Sequence, residues 1–154
     1  MRHFTPDAYA RALEDWSWLI ASHEVEPVAA SVFGDLFLRV SGGICFLDML
    51  EGALTLEWSD VAELQSELST PEGQDRYLMG GLAIGASSAG VAPNAAEVLA
   101  FKTPPVLGGP ITVDNIEAMD YVVASSIAGQ LHRQVKDLPP GTPITGFSLD
   151  VEGS

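Results

Sequence analysis

The side chains best suited to chemistry in this chain are His3, His23, His132, Cys45 and the adjacent serines Ser87 and Ser88. The serines lie in Gly85-Ala86-Ser87-Ser88-Ala89-Gly90. With Asp114 or Asp120 and then His132 downstream, the chain order is serine, acid, histidine, as in an α/β-hydrolase. A nucleophile elbow needs a glycine two positions away on both sides of the serine, at a strand-to-helix turn. Neither serine has that flanking pair, and the residues before them read as helix, so the run is expected to be a small-residue packing face. His23-Glu24-Val25-Glu26 lacks the second histidine of a zinc-protease helix. No glycine precedes Lys-Ser or Lys-Thr, and no Gly-x-Gly-x-x-Gly occurs, so no phosphate loop is read. Cys45 is the one cysteine in the sequence. It sits in an apolar run and reads as a buried, inert thiol. From these types and spacings no catalytic residue, cofactor or metal ligand is assigned.

The carboxylates carry more information. Twenty-one acids against seven Lys and Arg leave a net charge of −14 on 154 residues. Nucleic-acid backbones and anionic lipids both need basic surface, so neither is an expected partner. A basic protein is, because complementary fields speed encounter and set specificity. High solubility is the plainer account of the same charge. Asp48 and Glu51 flank a turn, where an aspartate bonds to nearby amides. Asp60, Glu63 and Glu67 share one side of a short helix, either as a solvated face or as a face for a basic partner. Asn115 leaves a turn and is expected to cap backbone. Gln130 and Gln134 lie one turn apart on the last helix, facing outward.

These residues need elements to position them. Thr5-Pro6 reads as an N-cap followed by proline at the first helical position. Tyr9, Ala12, Leu13, Trp16, Leu19 and Ile20 then form a stripe, giving an N-terminal helix within residues 1–25. Trp16 and Trp18 fall on different faces. One is expected to be exposed, as a contact for a partner or a second copy in a homodimer. From residue 28 the period changes to two. Leu36, Leu38 and Val40 alternate with Asp35, Phe37 and Arg39. Gly42-Gly43 makes a turn, and Ile44 to Leu47 read as a central strand covered on both faces. Leu54, Leu56 and Trp58 alternate with Ala53, Thr55 and Glu57. Residues 28–58 are therefore an antiparallel meander of three or four strands.

Asp60 with Glu63 makes a capping box, and Thr70-Pro71 opens a further helix, so residues 60–90 are helical with a break near Gly80-Gly81. Residues 97–149 hold a strand, the Pro104-Pro105 stop, a Gly108-Gly109-Pro110 turn, a helix over 120–136 and a short final strand. In that helix Tyr121, Ala124, Ala128, Leu131 and Val135 form the apolar stripe. The fold class is α+β: a small antiparallel β-meander sheet flanked by three to four helices in one domain. The N-terminus has no apolar signal core, and the run 77–92 is too short and too glycine-rich to span a bilayer, so a cytoplasmic protein without a membrane partner is expected.

One series of residues has no chemistry of its own yet forms a pattern. It runs Phe33-Gly34-Asp35, Phe46-Leu47-Asp48, Tyr77-Leu78, Pro105-Val106-Leu107-Gly108-Gly109, Asn115, Gly129-Gln130 with Gln134, and Pro140-Gly141. In order and spacing it resembles the C-terminal domain of the type VI secretion DNase-immunity proteins, over about three quarters of the chain. That resemblance implies a non-enzymatic protein that binds and neutralises a cognate nuclease toxin in the cytoplasm. The motif residues would then be structural or partner-binding. The charge fits this logic, since a nuclease cleft is basic. Trp58, Tyr77 and Phe147 are candidate apolar anchors for the toxin. The alternatives are an acidic interaction or regulatory scaffold of the same fold, and a small hydrolase or ligand binder with a pocket near Ser87, Asp114 or His132.

Overall fold

The computed structural model describes residues 1–21 and 23–138. The final strand expected over 144–149, together with Pro140-Gly141 and Phe147, lies outside the described residues.

Helix α1 (Pro6–Leu13) starts because the Thr5 hydroxyl accepts from the Ala8 amide at 3.1 Å and Pro6 fills the first turn. The expected single N-terminal helix is instead three pieces. A 3₁₀ turn at Glu14–Trp16 follows α1, and then comes the short α2 (Ser17–Ile20). It stops at Ala21, whose φ of 55° cannot continue a right-handed helix.

Four strands follow: β1 (Glu26–Ala30), β2 (Leu36–Val40), β3 (Gly43–Asp48) and β4 (Ala53–Trp58). They pair antiparallel in sequence order, β1-β2-β3-β4. Both faces of this meander are covered. On one, Leu36, Leu38, Cys45 and Leu47 pack with Tyr9, Trp16 and Tyr121. On the other, Phe37, Ile44 and Phe46 pack with Trp58, Leu64 and Tyr77. The second residue set of β2 is thus no solvent face, since Phe37 is fully buried.

The alternation expected in β4 fails at one point. Ile44 faces Trp58 while Cys45 faces Leu56, so Glu57 is an extra residue in a bulge. A bulge reverses the side-chain alternation beyond it. Leu54 therefore packs on the first face, Leu56 is 60% exposed, and Trp58 turns into the second core. The Glu57 carboxylate accepts from Thr55 Oγ1 at 2.9 Å and from the Tyr77 hydroxyl at 3.2 Å.

Helix α3 (Val61–Leu68) is capped as its sequence implies. Asp60 accepts from the Glu63 amide at 2.8 Å, and Glu63 accepts from the Ser59 amide at 3.1 Å. Helix α4 (Pro71–Leu78) is opened by Thr70, which accepts from the Gly73 amide. The break before α5 (Gly80–Ser88) falls on Met79, not on a glycine; its φ is 47°.

Strands β5 (Glu97–Phe101) and β6 (Ile116–Asp120) form a second, two-stranded antiparallel sheet. The long helix α6 (Tyr121–Val135) leaves β6 directly, with Asp120 accepting from the Val123 amide. It buries two sides. Besides Tyr121 and Leu131, the residues Ser125, Ser126, Gly129 and His132 are buried. The second side packs on the N-terminal segment, where the Trp16 indole donates to Ser125 at 3.0 Å and Ser125 donates to the Ala12 carbonyl at 2.8 Å. Among the described residues no helix is long and apolar enough to cross a membrane.

Candidate functional site: an apolar cavity built by the motif residues

Part of the motif series converges on one place. A cavity of about 280 Å³ lies between the β1–β2 turn, β5, the 3₁₀ turn Pro105–Leu107 and the inner side of α6. Phe33, Gly34, Asp35, Pro105 and Leu107 all line it. A more open depression of about 450 Å³ adjoins it, sharing Leu50, Pro105, Val106 and His132 and adding Trp18 and Lys136.

Gly34 makes the first wall. Its φ of 89° is left-handed backbone, which glycine adopts without penalty. That turn sends Asp35 inward, where it is 2% exposed. One carboxylate oxygen accepts from the Met49 amide at 2.8 Å and the other from the Ser31 hydroxyl at 2.7 Å. Ser31 Oγ in turn accepts from the Phe33 and Asp35 amides. Burial raises the Asp35 carboxyl to about 7, outweighing the hydrogen bonds from Met49 and Ser31 that favour the anion.

Other motif residues brace the walls without lining the cavity. Asp48 accepts from the Leu50 and Glu51 amides at 2.9 and 3.1 Å, holding the β3–β4 turn. Leu47 is fully buried beneath it. Asn115 accepts from the Thr103 amide at 2.9 Å and donates to the Thr103 and Pro110 carbonyls. Gly108 turns the chain with a φ of 95°, and a Cβ on Gly109 would overlap the Thr103 carbonyl oxygen. Gly129 lets α6 approach the N-terminal segment, since a Cβ there would stand 2.6 Å from the Asp15 carbonyl oxygen. Gln130 does not simply face outward. Its amide donates to Ser126 Oγ at 3.0 Å, and Ser126 donates to the Asp15 carboxylate. Gln134 is exposed.

The histidine story also changes. His132 lines the cavity, and its Nε2–H donates to the Met49 carbonyl at 2.9 Å, because a carbonyl can only accept. Burial pulls its pKa below the usual value, against the opposing pull of the Met49 carbonyl, Asp48 and Glu51. Ser87 and Asp114 are exposed, and neither lines that cavity. The serine–acid–histidine order therefore corresponds to no assembled triad. Among the described residues no group of three or more His, Cys, Asp or Glu is placed to hold a metal ion.

The expected apolar anchors Trp58 and Tyr77 are core residues, each 4% exposed, and their rings meet edge to face with centroids 4.8 Å apart. Neither N-terminal tryptophan is fully exposed. Trp16 is buried, and Trp18 is half-buried, stacked on Trp16 and donating to the Asp15 and Gly129 carbonyls. The tryptophan basis for a second copy disappears with that packing. Of the acidic trio, Asp60 and Glu63 are exposed and Glu67 is half-buried.

Tyr121 is the lining residue that residue types did not single out. As its place in the apolar stripe implies, it is 1% exposed, and its hydroxyl is buried with no hydrogen-bond partner among the described residues. Phe4 stacks on its ring at 4.2 Å. A tyrosine in a stripe of alanines and leucines was the available signal, since a buried phenol normally finds a partner.

The sequence matches no protein-family model and no curated protein. The fold is similar to that of a crystal structure of Atu4351 from Agrobacterium tumefaciens, with a TM-score of 0.51 and 16% sequence identity. The match covers 82% of this chain and 65% of that one, so this chain spans just under two thirds of that protein's length. At that identity the likeness carries the α+β fold and nothing more specific.

Proposed function

We propose that the chain is a binding protein and not a catalyst: an immunity-type module that neutralises a basic toxin of the nuclease class. The observation that carries this reading is the unbalanced acidic surface. Among the described residues just two ion pairs form, Arg39–Glu26 at 3.4 Å and Lys136–Asp137 at 3.2 Å. Along α3 and α4, Asp60, Glu63, Glu72 and Asp75 are exposed. Such a surface steers a basic partner and favours it over other proteins. The motif series that resembles DNase-immunity proteins supports the same reading. A second reading is favoured by the internal ties of Asp48, Gly109, Asn115 and Gly129. On it the series specifies the fold alone, and the chain is an acidic scaffold with no toxin.

Co-expression with the product of each adjacent reading frame separates the two. Rescue of host growth from a toxic neighbour, with a stable complex on purification, is the expected result. Asp75→Lys and Glu67→Lys would then weaken the complex, most strongly at low salt. Glu63 is unsuitable for that mapping, because it caps α3. If no neighbour is toxic and none binds, the scaffold reading stands.

A further inference from the structure

The cavity gathers side chains that toxin neutralisation does not use. Three of the four methionines in the sequence, Met49, Met79 and Met119, line it. They come from the β3–β4 turn, the junction between α4 and α5, and β6, which are far apart in sequence. None of the three is fully buried. Met49 packs on the first-face core of the meander, and Met79 on the core of Phe33, Ala86, Leu99 and Ile116. A thioether is soft and polarisable, and oxidation turns it into a polar, chiral sulfoxide. At about 280 Å³ the cavity has room for several molecules the size of water, and hydrogen peroxide is little larger. A sulfoxide oxygen accepts hydrogen bonds, and the side-chain donors around this cavity are spent. Ser125 donates to the Ala12 carbonyl, His132 donates to the Met49 carbonyl, and the Tyr121 hydroxyl is closed off. Lys102, the one Lys or Arg in the lining, is exposed to solvent. An acceptor left without a donor in an apolar wall is costly, so each sulfoxide works against the packing that holds its element in place.

We propose that Met49, Met79 and Met119 form an oxidation-sensitive joint: hydrogen peroxide entering the cavity converts their thioethers to sulfoxides, and the β3–β4 turn, the α4–α5 junction and β6 lose their hold on one another. In each step the sulfur attacks one peroxide oxygen, the O–O bond breaks and an S=O bond forms. The sulfur gives up two electrons, and the second oxygen leaves with both protons as water. Methionine sulfoxide reductases reverse the change. The inference is independent of the toxin reading, and either can fail alone.

The test is treatment of the full chain with hydrogen peroxide at neutral pH, followed by peptide mass spectrometry and thermal melts. Met1 is the internal control, since it is 55% exposed and packs in none of the three cores. The three cavity methionines should convert at rates within about tenfold of Met1, and the melting midpoint should fall by roughly 5–10 °C. Methionine sulfoxide reductases should restore it. Met49→Leu, Met79→Leu and Met119→Leu together keep the volume and remove the sulfur, so the midpoint of that variant should not move in peroxide. The variant keeps Met1 and the buried Cys45, so a fall there assigns the effect to one of those and overturns the inference. So does conversion of Met1 with the three intact, or conversion of the three with an unchanged midpoint. Should the leucine variant not fold, the wild-type rates and midpoints carry the test.

Discussion

Replacing Asp35 with Asn should change how stability depends on pH, and by an amount the structure sets. Asp35 is 2% exposed, and its carboxyl rises from 3.8 to about 7 on folding. The native state then holds a proton that the unfolded chain has lost. Stability from this group is fully present below about pH 4 and falls as pH rises to about 7, above which it is flat. Roughly three units at about 1.4 kcal/mol each give a loss of about 4 kcal/mol across that window. Repulsion among the other acids changes in the same direction, so the wild-type curve alone proves nothing. The difference between wild type and Asp35→Asn isolates the one group. Asn also conflicts with its surroundings, because Ser31 Oγ already accepts from two amides and cannot readily accept a third N–H. A pH-independent loss of about 1–3 kcal/mol follows from that conflict. Urea unfolding of both proteins from pH 4 to 8 gives the difference directly. The expected result is a wild-type advantage that shrinks by several kcal/mol as pH rises. An advantage that is constant with pH, or that grows, would refute the reasoning. It would mean that the Met49 amide and the Ser31 hydroxyl hold an ionised carboxylate and outweigh its desolvation.

His132 should oppose Asp35. Its pKa is lowered by burial, so its contribution to stability is present above the unfolded value near 6.5 and is lost as pH falls through the native value; an NMR titration of its ring protons should give a midpoint below 6.5. Gly129→Ala should cost about 1–3 kcal/mol in urea unfolding, because the new Cβ meets the Asp15 carbonyl 2.6 Å away and either α6 or the N-terminal segment must shift. A neutral outcome would show that the segment before α2 gives way freely.

Local signals in the sequence announce much of this fold. Thr5-Pro6, Asp60 with Glu63, and Thr70-Pro71 each start a helix where the capping rules place one. The turn at Gly42-Gly43 and the apolar run after it define the centre of the sheet. What is not legible depends on events across the molecule. Trp58 changes face because of one extra residue in β4, and nothing local to Glu57 signals it. Met79 takes a left-handed conformation beside two glycines that suit it better. Ser125, Ser126 and His132 look like the polar side of α6, yet that side is buried because the N-terminal segment lies on it. The cavity was not read from the sequence: a pocket was expected near Ser87, Asp114 or His132, and of these His132 alone lines it, beside motif residues from separate parts of the chain. Their convergence needs the β1–β2 turn, β5 and α6 to meet.

The hydrogen bond from Trp16 to Ser125 joins residues 109 positions apart. During synthesis the segment around Trp16 therefore waits for α6, the last described helix, before this contact can form. The β1–β4 meander pairs neighbours in sequence and has no such delay. During synthesis its first face, with Leu36, Leu38 and Leu47, has the N-terminal residues Tyr9, Trp16 and Ile20 to pack on it before Val98 and Tyr121 arrive to complete the cluster. A chain stalled before Tyr121 would present a finished sheet whose first face lacks the part of its cover that α6 supplies, a partly exposed apolar surface of the kind chaperones hold.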